Sequence, residues 1–132
     1  MAQSLRLLLV EDDEEMALLM QRRLERAGHQ VTRCARADDA LQVLAVSTFD
    51  LISLDMSLPG GDGLQLLQSL RRAGINTPVI MVTVSDDERL IAEVIRAGAL
   101  DYVVQDLGLE FLKDLPERIS KAVLRRSATL CG

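Results

Sequence analysis

Several things are scarce in this chain: it has two cysteines, one histidine, fewer basic than acidic residues, and no long apolar run. Cys34 falls in an apolar stretch and Cys131 stands beside the last residue, so the two neither frame a disulfide scaffold nor show metal-ligand spacing. Both are expected as free thiols. His29 has no second histidine or cysteine around it and follows Gly28, which makes it a loop side chain rather than a ligand or catalytic base. No apolar stretch approaches the roughly 20 residues that a membrane helix requires. The first residues, Met1-Ala2-Gln3-Ser4, lead into a strand-like segment instead of a signal peptide. A cytoplasmic protein with no membrane insertion is therefore expected. Lys and Arg total 15 against 20 Asp and Glu, and the resulting net charge of −5 argues against a broad nucleic-acid footprint or an anionic membrane surface. The Gly60-Gly61-Asp62-Gly63 stretch lacks the Lys-Ser/Thr ending of a phosphate-binding P-loop and is read as a turn. There is no internal linker, low-complexity segment or repeat.

What is present is a 132-residue chain that is 48% hydrophobic, the size of one domain. A chain of this length can bury roughly 68% of its unfolded surface in a single core. Short apolar runs recur at Leu7–Val10, Val31–Cys34, Leu51–Leu54, Val79–Val82 and Tyr102–Val104, each followed by a longer stretch with apolar residues at steps of three and four. Met16, Leu19, Met20 and Leu24 illustrate the second pattern, as do Leu64, Leu67 and Leu70. A strand followed by a helix, five times over, predicts a parallel sheet covered on both faces, with right-handed crossovers. Ser85 followed by Glu88 predicts a capping box, Gly28, Gly74 and Gly98 predict helix C-termini, and the last helix is expected from about Leu109 to Leu124, ahead of a short tail.

In open α/β sheets ligands collect beyond the carboxyl ends of the strands. The first apolar run ends in Glu11-Asp12-Asp13, the third in Asp55, the fourth in Thr83 and the fifth in Gln105. The acids from Glu11 to Glu15 have an ordinary explanation, because carboxylates stabilise a helix N-terminus. Asp55 has a weaker one, since a charge at the end of a buried strand needs a partner. Like charges at 4 Å repel by about 4 kcal/mol at an effective dielectric near 20, and a divalent cation would relieve this. Hard oxygen donors suit Mg²⁺, with Asp12 and Asp55 as candidate ligands. Thr83 could offer a hydroxyl to a phosphoryl oxygen, and Tyr102 is either a packing aromatic or a switch residue.

These residues resemble the receiver domain of two-component response regulators from about Leu5 to Leu124. The resemblance rests on Leu9-Val10-Glu11-Asp12-Asp13, on Asp50-Leu51-Ile52-Ser53-Leu54-Asp55 through Pro59 and Asp62-Gly63, on Val82-Thr83, and on Ala97-Gly98-Ala99. It implies a flavodoxin-like (βα)5 three-layer sandwich with strand order 2-1-3-4-5, a receiver domain over residues 1–124, and a tail or linker over 125–132. It also implies that Asp55 takes a phosphoryl group from a phosphohistidine. Glu11, Asp12, Asp55 and the backbone carbonyl of Ser57 would hold Mg²⁺. Thr83 would bond the phosphoryl group, and Tyr102 would turn inward as Thr83 moves, changing the surface of the fourth helix and fifth strand. The implied partners are a sensor histidine kinase or histidine phosphotransfer domain, and a second copy through the face made by the fourth helix, fifth strand and fifth helix. No direct contact with nucleic acid is implied. A stand-alone regulator and a receiver excised from a larger phosphorelay protein are both expected readings, and Gln105-Asp106-Leu107, which apart from the lost lysine resembles receivers attached to sensory or hybrid kinases, favours the second. Ser57 and Val84 occupy positions that influence water access to the phosphoryl group.

One position departs from the family. Where it carries lysine, usually followed by proline, this chain has Gln105-Asp106. Glutamine donates a hydrogen bond but brings no positive charge. That substitution supports an alternative reading, a pseudo-receiver that docks partners without phosphorylation. A phosphatase with an aspartyl-phosphate intermediate is disfavoured, because the residue two positions after Asp55 is Ser57 and not a general acid.

Overall fold

In a computed structural model that describes residues 4–59 and 61–131, with residues 126–131 as backbone alone, the alternation resolves into ten elements. They are β1 (Arg6–Val10), α1 (Glu14–Arg26), β2 (Gln30–Cys34), α2 (Ala37–Val46), β3 (Leu51–Asp55), α3 (Gly63–Arg72), β4 (Val79–Thr83), α4 (Glu88–Arg96), β5 (Asp101–Val104) and α5 (Phe111–Cys131). Every strand lies within one residue of the apolar run that predicts it. The strands are parallel in the order β2-β1-β3-β4-β5, the expected flavodoxin-like sandwich. Among the described residues, no helix is long and apolar enough to cross a membrane.

The central strands explain their own composition. β1, β3 and β4 are covered on both faces, so they are written in Leu, Ile, Val and Met almost without interruption. On one face Leu7, Leu9, Leu51 and Ile80 pack against Met20 and Leu24 of α1 and Leu115 and Ile119 of α5. On the other, Leu8, Ile52, Leu54 and Met81 meet α2, α3 and α4 through Ala40, Leu67, Leu70 and Val94. Ser53 interrupts β3 at 2% exposure, and among the described residues its Oγ has no hydrogen-bond partner. An unpaired buried hydroxyl costs about 1–3 kcal/mol.

Helix ends follow the predicted glycines but not the predicted serine. Gly28, Gly74 and Gly98 each follow a helix C-terminus at positive φ (98°, 79° and 114°). Instead of Ser85 with Glu88, the cap of α4 is Asp87, whose carboxylate accepts from the Arg89 N–H at 2.9 Å, while Ser85 Oγ accepts from the Asp87 N–H. The capping box sits on α3, where Asp62 accepts from the Gln65 N–H at 2.7 Å and Gln65 Oε1 accepts from the Asp62 N–H at 3.3 Å. α5 starts two residues later than expected because Asp106 accepts the N–H groups of both Glu110 and Phe111, with Leu109 at φ 59°. It also continues past Leu124 to Cys131, and Arg125 Nη1 donates to the Leu100 carbonyl at 3.1 Å. The Cys131 side chain and Gly60 lie outside the described residues, whereas Cys34 is a buried free thiol.

His29 is more than a loop side chain. It is buried, and its Nδ1 accepts the Leu5 N–H at 3.1 Å, fastening the chain just ahead of β1. Burial pulls its pKa below the ordinary histidine value and so favours the neutral form that this acceptor role requires.

Gly63 sets how closely α3 approaches the end of β3. Its N–H donates to the Met56 carbonyl at 2.8 Å, and a Cβ at this position would collide with the carbonyl oxygen of Asp55. Backbone atoms cannot yield as the far end of a flexible side chain can. Gly63→Ala is therefore expected to lower unfolding free energy by about 1–3 kcal/mol in urea denaturation, and unchanged stability would show that this approach is not tight.

Candidate functional site

The sheet order places β1 beside β3, with Val10 paired to Leu54, so the residues that follow Val10 and those that close β3 emerge side by side. Glu11 is 3% exposed, Asp55 is half-buried and Asp12 is exposed. One carboxylate oxygen from each of the three lies within 4.8 Å of the others. These are hard oxygen donors of the kind that hold a small divalent cation.

Electrostatics mark the same point. Burial, then the Asp55 charge, push the Glu11 pKa up to about 7. Burial also raises Asp55, with the Asp12 charge adding to it, while N–H groups of Ser57 and Met56 pull the other way. The Ser57 N–H donates to Asp55 Oδ1 at 3.3 Å. Negative charge is therefore concentrated beyond what the protein alone neutralises, so a proton or a cation is favoured there.

Of the remaining candidates, Thr83 and Gln105 lie at the same carboxyl edge of the sheet. Thr83 closes β4 one residue beyond Val82, the partner of Asp55, and is 5% exposed. Its Oγ1 accepts the Ser85 N–H at 3.1 Å, an arrangement that leaves the hydroxyl hydrogen to be donated. Gln105 joins the cluster directly. Its backbone N–H donates to the Thr83 carbonyl at 2.7 Å, and its side-chain Nε2 donates to Glu11 Oε1 at 3.2 Å. The amide that replaces the expected lysine is thus directed at an acid of the β1 end. Tyr102 stands apart. It pairs with Met81 in the sheet, packs half-buried against the α2–α4 side of the core, and borders an open groove of about 340 Å³ between β5 and α5. Ser57 is exposed on the loop after β3.

Sequence reasoning missed Arg33, whose guanidinium reaches from β2 to the backbone carbonyls of Glu11 and Asp12. No local signal identifies it, because the contact exists only once β2 lies beside β1. Asp13 serves as the ordinary helix cap expected of an acid there, accepting the Met16 N–H at 3.1 Å.

A family model described as the response regulator receiver domain matches residues 7–117. The chain is 40% identical over 124 residues to the swarming motility regulation protein RssB of Serratia marcescens, covering 92% of this chain and 54% of that protein. It is 38% identical over 120 residues to the transcriptional regulatory protein AfsQ1 of Streptomyces coelicolor, covering 91% of this chain and 51% of that protein. The chain therefore spans about half the length of these relatives. Among solved structures, the receiver domain of a Francisella response regulator superposes with a TM-score of 0.86 at 27% identity, covering 93% of this chain and 99% of that one.

The raised Glu11 pKa gives a signed pH dependence. A carboxyl whose folded pKa lies above its unfolded value stabilises the fold at low pH, and that contribution is lost as pH rises through the folded value. In EDTA, wild-type stability relative to Glu11→Gln should fall as pH climbs from about 4.5 toward 7, as read from melting temperatures. Added Mg²⁺ should flatten that fall. Parallel pH profiles for the two proteins would contradict the charge crowding described here.

Proposed function

The chain belongs to the response regulator receiver domain family, and from that membership we propose that it accepts a phosphoryl group from a phosphohistidine onto Asp55, with Mg²⁺ bound. The observation that carries the reading is the convergence of Glu11, Asp12 and Asp55 to within 4.8 Å at the ends of adjacent strands. In the transfer, an Asp55 carboxylate oxygen attacks phosphorus, the phosphorus–nitrogen bond to the donor imidazole breaks, and that nitrogen departs with the bonding pair. Glu11, Asp12, Asp55 and the Ser57 carbonyl would hold Mg²⁺, which supplies charge neutralisation between the acids and the phosphoryl oxygens. Thr83 donates its hydroxyl to a phosphoryl oxygen. Water later hydrolyses the acyl phosphate, with Ser57 and Val84 at the exposed rim, where they influence its access.

Output is a shift between two surface states rather than turnover of an external substrate. Thr83 and Tyr102 are the switch residues, and Tyr102 borders the groove between β5 and α5. The face made by α4, β5 and α5 is where a second copy or an output domain would dock. The phosphodonor is a sensor histidine kinase or histidine phosphotransfer domain, meeting the carboxyl edge of the sheet in the cytoplasm.

A second reading, docking without phosphorylation, draws on Gln105. With its amide given to Glu11, the end of β5 offers the phosphoryl group no cation.

Incubation with Mg²⁺ and acetyl phosphate is expected to give a base-labile phosphoryl adduct by intact mass, absent in Asp55→Asn. An adduct that persists in that variant removes Asp55 as the nucleophile, and no adduct with any donor favours the second reading. Losing one preorganised donor to a charged transition state typically costs about 10²–10³ in rate. Because Mg²⁺ offsets part of this, Gln105→Lys should speed Asp55 phosphorylation by about tenfold or more. An unchanged rate and extent would show that the missing charge is not limiting.

A further inference from the structure

Arg33 pairs with Leu9 across β2 and β1, and its side chain extends past the end of β1. Its Nε donates to the Glu11 carbonyl oxygen at 3.0 Å, and its Nη2 donates to the same oxygen at 2.8 Å and to the Asp12 carbonyl oxygen at 3.3 Å. Five acidic residues follow one another from Glu11 to Glu15, yet these bonds of the guanidinium go to main-chain carbonyls and not to those carboxylates. The turn is held further by the Glu11 N–H, which donates to the Cys34 carbonyl at 3.0 Å.

The consequence is geometric. A turn carrying consecutive like charges relieves its repulsion by spreading, which would carry Glu11 and Asp12 away from Asp55. A planar fork that spans two successive carbonyls resists that spreading while leaving the carboxylates themselves to face a cation. Lysine, a single point charge on a flexible stem, could hold one carbonyl but not bridge two with fixed angles.

We infer that Arg33 is a positioning residue for the metal site, clamping the main chain of Glu11 and Asp12 so that their carboxylates converge with Asp55. This rests on the metal-assisted phosphoacceptor reading above. Groups that orient metal ligands from behind are worth about 10–100-fold in affinity when removed. The same clamp brings positive charge to the back of the acidic turn in a chain whose fifth strand is followed by Gln105.

The test is Mg²⁺ titration of the full chain followed by backbone amide chemical shifts, with melting temperature in EDTA measured alongside. Arg33→Ala is expected to weaken Mg²⁺ binding by about tenfold or more, and Arg33→Lys to fall between it and wild type. Arg36→Ala removes an exposed cation paired with Asp38 and should leave affinity unchanged. Wild-type affinity in Arg33→Ala, even with a lowered melting temperature, would reduce Arg33 to a fastener of the fold and overturn the inference. So would an equal loss in Arg36→Ala, which would make the effect one of general charge. If Arg33→Ala does not fold, wild-type affinity in Arg33→Lys overturns the inference equally. Wild-type protein that binds no Mg²⁺ overturns both this inference and the phosphoacceptor reading. Wild-type protein that binds Mg²⁺ and is phosphorylated, beside an Arg33→Ala variant with unchanged affinity, overturns this inference alone.

Discussion

Charge crowding at one edge of the sheet governs the rest of the site. Parallel pairing of β1 with β3 forces Glu11 and Asp12 to emerge beside Asp55, where the burial of Glu11 and partial burial of Asp55 deprive their negative charge of water. The neighbouring polar contacts respond to this. The Asp13 and Ser57 N–H groups and the Gln105 amide donate into the cluster, and Arg33 holds the carbonyls behind it. The hydrophobic layers on either side hold the strands in place, so the cost of the crowded acids is carried by the core.

This arrangement gives the replacement of lysine by Gln105 a specific meaning. A lysine would bring a unit charge toward the acids, whereas the glutamine brings a neutral donor that is engaged with Glu11. Glu11 nevertheless remains raised to about 7, with burial and Asp55 outweighing the amide. Hydrogen bonding alone does not discharge the site.

The fold was largely legible from residue order. The five apolar runs, the helical spacing between them and the glycines after α1, α3 and α4 correspond to observed elements within one residue for the strands. Ends governed by side-chain competition were less legible. Ser85 and Asp87 are both good cap residues, and only the path of the chain into α4 selects Asp87. α5 likewise begins where the Asp106 carboxylate reaches two N–H groups, a choice that spacing alone does not reveal.

The candidate acids and Thr83 were identifiable because each ends an apolar strand, which is a local property of the chain. Tertiary structure decided what those ends meet. Gln105 and Glu11 are 94 residues apart and Arg33 and Glu11 are 22 apart, so neither contact exists until strand order is settled. His29 shows the same division, since its type and loop position are local but its bond to Leu5 requires β1 and β2 to be neighbours. Periodicity determined the elements and the chemistry at their tips. The choice of neighbours, made by burying both faces of β1, β3 and β4, determined which tips form a site.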